Sequence, residues 1–305
     1  MINKVLISGA TGFVGKNLVP FLGSNNYNVT ALSRKGDVNY YNVETDYISS
    51  FLAFIHLAGK AHDLKNTSLD DEYYEVNTEL TKKLFNQFLE SNCKIFVYFS
   101  SVKAVADNID GVLEEDHSYK PGTVYGKSKA LAEQYLLSKN IPDDKRLYIL
   151  RPCMIHGPGN KGNLNLLYKV VSKGIPYPLA SFKNRRSFVN INTVNKVISE
   201  LLIRTPDSDI FNIADDEAIS TNELIKVMAT AIDRKPRLVS INPNLIKIIA
   251  SAGSFLKLPF NKERLQKLTE SYEVSNKKVK LALKITASFD TKEGLETTIK
   301  SFKSV

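Results

Sequence analysis

Lys4-Val5-Leu6-Ile7-Ser8-Gly9-Ala10-Thr11-Gly12-Phe13-Val14-Gly15 is the stretch whose reading decides the fold. A short apolar run comes first, the glycines follow at once, and Lys16 to Leu22 continues with a helix-like pattern. Strand, glycine turn and helix in that order are the context a dinucleotide-binding fingerprint requires. One glycine permits the tight turn, another lets backbone N–H groups approach a pyrophosphate, and a third lets the helix pack on the strand. The helix N-terminus then faces the anion, because its first N–H groups have no partner inside the helix. The glycines are spaced G-x-x-G-x-x-G rather than G-x-G-x-x-G. Gly9, Thr11, Gly12, Phe13, Val14 and Gly15 are the expected cofactor-binding residues of this loop.

Outward from the loop, Val29 to Ser33 reads as a second strand whose end would meet the adenosine ribose. An NAD site commonly places Asp or Glu there, about 20 residues past the glycines. This chain has Ser33-Arg34-Lys35, a hydroxyl and two cations that suit a 2′-phosphate, so NADP is expected through Ser33 and Arg34. NAD stays possible, since Asp37 could serve if the turn is longer. The segment Gly36 to Leu52 is left unassigned. Phe54 to Gly59 is the next strand, and Leu57 and Ala58 at its end are expected beside the cofactor. Val76, Leu80, Leu84 and Phe88 recur at a helix period, with Asn77 on that helix. Lys94 to Phe99 is nearly continuous in apolar residues, as a central parallel strand covered on both faces should be. It ends in Ser100-Ser101, and a further strand runs from Leu147 to Leu150 before Pro152.

Alternating strands and helices predict an α/β protein with a Rossmann-like, doubly wound parallel sheet. After Gly157-Pro158-Gly159 the pattern turns helix-rich, at Leu164 to Ser172, Thr193 to Ile203, Thr221 to Ala231 and Leu245 to Leu256, with short strands near Phe188 to Ile191 and Ile210 to Ile213. The expected division is a dinucleotide-binding domain over residues 1–160, taking in strands within 187–213, and a smaller substrate-binding lobe over 161–305.

Composition narrows the function classes. The chain has 305 residues, 43% of them hydrophobic and 24% charged, enough for a large core and ordinary for a soluble protein. No apolar run reaches the roughly 20 residues that span a bilayer, and no signal-peptide pattern precedes Lys4, so a cytoplasmic protein without a membrane partner is expected. The run Leu245-Ile246-Lys247-Ile248-Ile249-Ala250 is read as packed helix, being short and followed by Gly253 and Pro259. Cys93 and Cys153 read as packing residues, and His56, His62, His117 and His156 show no ligand spacing, so no metal is expected. The net charge of +9 is spread along the chain without an arginine-rich or aromatic-interleaved tract, which argues against nucleic acid and for anionic small molecules.

Tyr125-Gly126-Lys127-Ser128-Lys129 heads an apolar run through Leu131, Ala132, Tyr135, Leu136 and Leu137. On a helix, residues four apart share a face, so phenol and ammonium point into the same space. A fixed cation favours the phenolate and would bring a pKa of about 10 closer to working range.

The glycine loop, the serine pair ending a central strand and the Tyr125–Lys129 pair, in this order, resemble the extended short-chain dehydrogenase/reductase family over most of the chain. The resemblance is carried by Gly9, Gly12, Gly15, His56-Leu57-Ala58, Asn77, Ser100-Ser101, Tyr125, Lys129, Arg151-Pro152, Gly157-Pro158 and Arg186. It implies that Tyr125 is the general acid/base, that Lys129 lowers its pKa and holds the nicotinamide ribose, and that Ser101 hydrogen-bonds the substrate oxygen. Pro152 joins the cofactor contacts. Members with a helical second lobe mostly act on nucleotide-diphosphate sugars, for which Arg186 looks like the diphosphate clamp and Lys103 and Asn163 like further substrate contacts. Dehydratases of the family carry an Asp-Glu pair after the strand-end hydroxyl, where this chain has Val102 and Lys103, so a 4-epimerase or a 4-keto-sugar reductase is implied. Met154, Val105-Ala106 and Asn192 or Thr193 depart from the family pattern and leave the sugar open. The other class is a non-catalytic dinucleotide-binding sensor or assembly subunit. Such proteins commonly lack the tyrosine or the lysine, and this chain keeps both. A homodimer through the Leu80 and Leu131 helices is implied as well.

Overall fold

The computed structural model describes residues 3–35, 38–61, 69–160, 163–256 and 261–302. Its strands are β1 (Lys4–Ser8), β2 (Asn28–Leu32), β3 (Ala53–His56), β4 (Ile95–Phe99), β5 (Val112–Leu113), β6 (Arg146–Pro152), β7 (Met154–His156), β8 (Phe188–Asn190), β9 (Asp209–Ile213) and β10 (Glu273–Val274). Six of them form one parallel sheet in the order β2-β1-β3-β4-β6-β9. The chain leaves β1 toward one side and returns as β3 on the other, so the switch point lies at the carboxyl ends of β1 and β3, where open α/β sheets bind ligands.

Alternation within the strands explains why both faces are covered. Val5, Ile7, Ile55, Val97, Tyr148 and Leu150 enter one core. Leu6, Phe54, Phe96, Tyr98, Leu147 and Ile149 enter the other. Side chains of a strand point alternately to opposite faces, so a near-continuous apolar strand needs helices on both. On the second face these are Leu80–Glu90 and Val124–Leu137, through Leu84, Phe88, Ala132 and Leu136. Leu80 and Leu84 are therefore buried inside the chain, whereas Leu131 and Leu137 stay exposed.

Residues 209–213 supply the sixth sheet strand, paired with β6 from Tyr148↔Asp209 to Pro152↔Ile213. Phe188–Asn190 does not join that sheet; it pairs with β7. A third core, with Leu164, Phe188, Leu224, Met228, Ile246 and Leu295 among its residues, holds the helix-rich part together. Among its described residues, the unassigned segment after β2 holds a short helix, Thr45–Ile48, and Asn39 makes an isolated bridge with Ser33. Asp37, Lys161 and Gly162 lie outside the described residues, as does the side chain of Asn163, which opens the helix Asn163–Ser172.

Candidate active site

β1 delivers the glycine loop to the sheet edge. Gly9 has φ +79°, and a Cβ there would lie 2.6 Å from Ala58 N. At Gly15 a Cβ would lie 2.5 Å from Ala10 Cα, so the helix meets the strand at a distance that only hydrogen allows. Ser8 O accepts from Leu57 N at 3.0 Å and Ser8 Oγ from Ala58 N at 3.3 Å, which sets Leu57 and Ala58 against the loop. The helix Phe13–Ser24 has Gly12 as its N-cap, no side-chain cap and no acidic residue in its first turn. Uncapped N–H groups at the positive end of a helix dipole, bare of side chains, suit a pyrophosphate. The residues present thus fit the dinucleotide that the loop implies. At the end of β2, Arg34 Nε donates to Tyr40 Oη at 2.7 Å and Ser33 Oγ donates to the Lys35 carbonyl. Pro152 is buried at the end of β6.

One face of the helix Val124–Leu137 meets the end of β4 residue by residue. Thr123 caps it, its Oγ1 accepting from Gly126 N at 3.2 Å. Tyr125 and Ser101 share a side-chain hydrogen bond. Four residues on, Lys129 Nζ donates to Phe99 O at 2.8 Å and lies 4.8 Å from the centre of the Tyr98 ring. Four more bring Glu133, buried, to Ser100 Oγ, which donates to it. The spacing i, i+4, i+8 thus lines up on the three-residue step at which β4 ends. Ser101, Tyr125 and Lys129 thus all lie at the carboxyl end of β4.

Electrostatics differ from expectation in one respect. The Tyr125 hydroxyl is pushed above the ordinary phenol range by burial; its Ser101 hydrogen bond works against that rise and Tyr73 adds to it. The shift is therefore upward, opposite to the lowering expected from the Lys129 cation, and burial is its largest cause. The ammonium is spent on the Phe99 carbonyl and the Tyr98 face, and burial holds Lys129 itself down to about 8, with Glu133 acting against that fall.

Behind these groups run two networks whose connections the sequence did not show. Ser8 Oγ is 2.6 Å from His56 Nδ1, and His56 Nε2 is 2.9 Å from Thr81 Oγ1, which donates to Asn77 O at 2.8 Å. Asn77 sits in a π-helical turn, Glu75–Glu79, of the kind that often marks a functional site. Its amide holds Lys60 N and O at 2.8 and 3.0 Å and donates to Ser128 Oγ at 2.9 Å, and Ser128 Oγ donates in turn to Tyr125 O at 2.9 Å. The loop strand and the Tyr125 helix are therefore tied by one chain of hydrogen bonds. In the second network, Arg151 Nη2 donates to Glu133 Oε2 at 2.6 Å and to Tyr119 Oη at 2.8 Å, and Tyr119 donates to Glu133 Oε2 at 2.7 Å. His56, Asn77 and Arg151 stood in the sequence among the residues that carry the resemblance, without a role, and Glu133 had its position four residues beyond Lys129.

The remaining substrate candidates form a separate group next to the serine turn. Ser101 caps the short 3-10 turn Val102–Ala104 by accepting from Lys103 N at 3.2 Å. Lys103 Nζ donates to Asp107 O at 2.8 Å and lies 4.3 Å from the centre of the Tyr272 ring. Arg186 Nε donates to Glu270 O at 3.1 Å, and Arg186 Nη2 meets Glu270 Oε1 at 3.3 Å and donates to Lys267 O. Burial lowers the pKa of Lys103, with a further lowering from Arg186, and burial lowers that of Arg186 too. Two partly desolvated cations within electrostatic reach of each other suit an anion with more than one charge.

Comparison with known proteins gives the family and the fold. The sequence model of the NAD dependent epimerase/dehydratase family matches residues 5–214. The UDP-glucose 4-epimerase of Vibrio cholerae is 32% identical over 256 residues, 77% of this chain and 77% of that protein. The dTDP-4-dehydro-6-deoxyglucose reductase of Escherichia coli is 23% identical over 265 residues, 76% of this chain and 83% of that protein. The solved structure of MoeE5 in complex with UDP-glucose and NAD has the same fold, with a TM-score of 0.75 over 99% of both chains and 22% identity.

Proposed function

The chain belongs to the NAD dependent epimerase/dehydratase family, an NAD(P)-dependent enzyme, and on that premise we propose that it reduces a 4-keto nucleotide-diphosphate sugar at C4 with NADPH. The observation that carries the reading is the Ser101–Tyr125 hydrogen bond beside Lys129, at the sheet edge where the glycine loop opens. A phenol is protonated near neutral pH and can donate, and the Ser101 hydrogen bond works against the rise that burial imposes on Tyr125. Tyr125 would give its proton to the C4 carbonyl oxygen while Ser101 hydrogen-bonds the same oxygen, and the ketone becomes an alcohol. The hydride received by C4 is the chemistry that a bound dihydronicotinamide supplies. Lys129 would hold the nicotinamide ribose, Gly9, Gly12 and the uncapped Phe13 helix the pyrophosphate, and Ser33 and Arg34 a 2′-phosphate. Lys103 and Arg186 would face the substrate diphosphate, with Asn163 a further contact. Val102 and Lys103, where dehydratases carry an acid pair, argue against loss of water.

A second reading, 4-epimerisation, is favoured by the 32% identity to the UDP-glucose 4-epimerase. It needs the same residues, with Tyr125 first accepting a proton and then returning it. Incubation with UDP- and dTDP-sugars and their 4-keto forms separates the two. NADPH consumption with a 4-keto sugar is expected, and Tyr125→Phe should lower it by at least about 100-fold while cofactor binding persists. Interconversion of sugar isomers without NADPH consumption would assign the epimerase reading. Wild-type-like turnover in Tyr125→Phe would remove the proposed acid/base from either.

A further inference from the structure

The helix Pro243–Phe255 is apolar on two sides. Ile246, Ala250 and Gly253 are buried, and the first two belong to the core of the helix-rich part. Leu245, Ile248, Ile249, Phe255 and the C-cap Leu256 are 51–88% exposed. Leu245, Ile248, Ile249, Ala252, Phe255 and Leu256 recur at three and four residues, so they form one continuous outward stripe along the whole helix. The sequence reading of packed helix holds for the inner face and fails for the outer one. A contiguous outward apolar stripe, unlike singly scattered apolar side chains, marks an interaction site. Charge identifies the occupant. The described residues 234–256 and 261–269 carry seven basic side chains and one acidic one, Glu263, a net +6 within a chain of +9. Lys247, on the helix itself, and Lys262, on the following helix Lys262–Thr269, line one groove of about 500 Å³ between the two helices.

We infer that this face docks the protein on an anionic phospholipid bilayer, the helix lying in the interface plane with its outward stripe among the acyl chains and the neighbouring lysines at the headgroups. Apolar stripe, flanking cations and one long helix are the combination that such interfacial helices use. No helix among the described residues is long and apolar enough to cross a membrane, so the contact is peripheral. A second copy of the chain on the same stripe is disfavoured, because a two-fold contact would bring two segments of net positive charge together.

Sedimentation of the full chain with vesicles tests the inference. The protein should bind vesicles of phosphatidylcholine with phosphatidylglycerol at low salt about tenfold or more better than phosphatidylcholine alone, and added salt should weaken the binding. Ile248→Glu with Phe255→Glu should lower binding to the anionic vesicles by about tenfold or more. Both positions are exposed, so the thermal midpoint should stay unchanged, a readout independent of the proposed reaction. Absence of binding at low salt, or equal binding by the double variant, overturns the inference. Wild-type dimers that the double variant dissolves into monomers also overturn it, by assigning the stripe to a second copy.

Discussion

Replacing His56 with glutamine tests whether a neutral imidazole holds the strand ends that carry the site. His56 is wholly buried between Ser8 Oγ and Thr81 Oγ1, at 2.6 and 2.9 Å. Burial first, and the charge of Lys129 second, hold its pKa down to about 3. In the unfolded chain the value is about 6.5. Between those values the unfolded chain binds one more proton than the folded one, so stability rises with pH across the window. The contribution is complete above about 6.5 and is lost progressively as pH falls toward 3. At about 1.4 kcal/mol per unit below the unfolded pKa, acidification from about pH 7.5 to about pH 5 costs about 2 kcal/mol through this residue. Urea unfolding of the wild type and His56→Gln across that range reads the effect, because the other titrating groups cancel in the difference. The stability of the wild type relative to the variant should fall by about 2 kcal/mol over the range. A difference that does not change with pH would mean that the imidazole protonates in the folded protein, and the link from Ser8 to Asn77 would lose its anchor.

Two further outcomes follow from the same geometry. Arg34→Ala should weaken NADPH binding by about tenfold while changing NADH binding little, as separate titrations of the two cofactors would show; tighter NADH binding by the wild type, unchanged in the variant, defeats the 2′-phosphate assignment. Glu133→Ala removes the carboxylate that Ser100, Tyr119 and Arg151 all meet in a fully buried position, and should cost about 3–5 kcal/mol in denaturant unfolding; a loss under about 1 kcal/mol would show that Arg151 finds another partner.

What could be read in advance was local. The loop from Gly9 to Gly15 has its effect within one turn of chain, because a positive φ and a missing Cβ are properties of single residues. Tyr125 and Lys129 were legible for the same reason, since helix geometry alone sets residues four apart on one face. Where several segments converge, the order of letters is silent. Glu133 looks like any helix acid until β4 and β6 lie side by side and bring Ser100 and Arg151 to it. His56 looks like one more strand residue until β1 and the Asn77 helix close on both of its nitrogens.

The direction of the Tyr125 shift divides the two kinds of knowledge most sharply. The neighbouring cation was visible in the spacing, but desolvation depends on everything packed around a group, and here burial is the largest influence and raises the phenol's pKa. The outward apolar stripe on Pro243–Phe255 is of the same kind, for its period marked a helix while only packing could show which face the core had taken. Sequence alone determined the sheet's alternation, the glycine loop and the shared helix face of Tyr125 and Lys129, because each depends on neighbours along the chain. Tertiary structure decided which charges are paired, which groups are stripped of water and which surface remains uncovered, because those depend on neighbours in space.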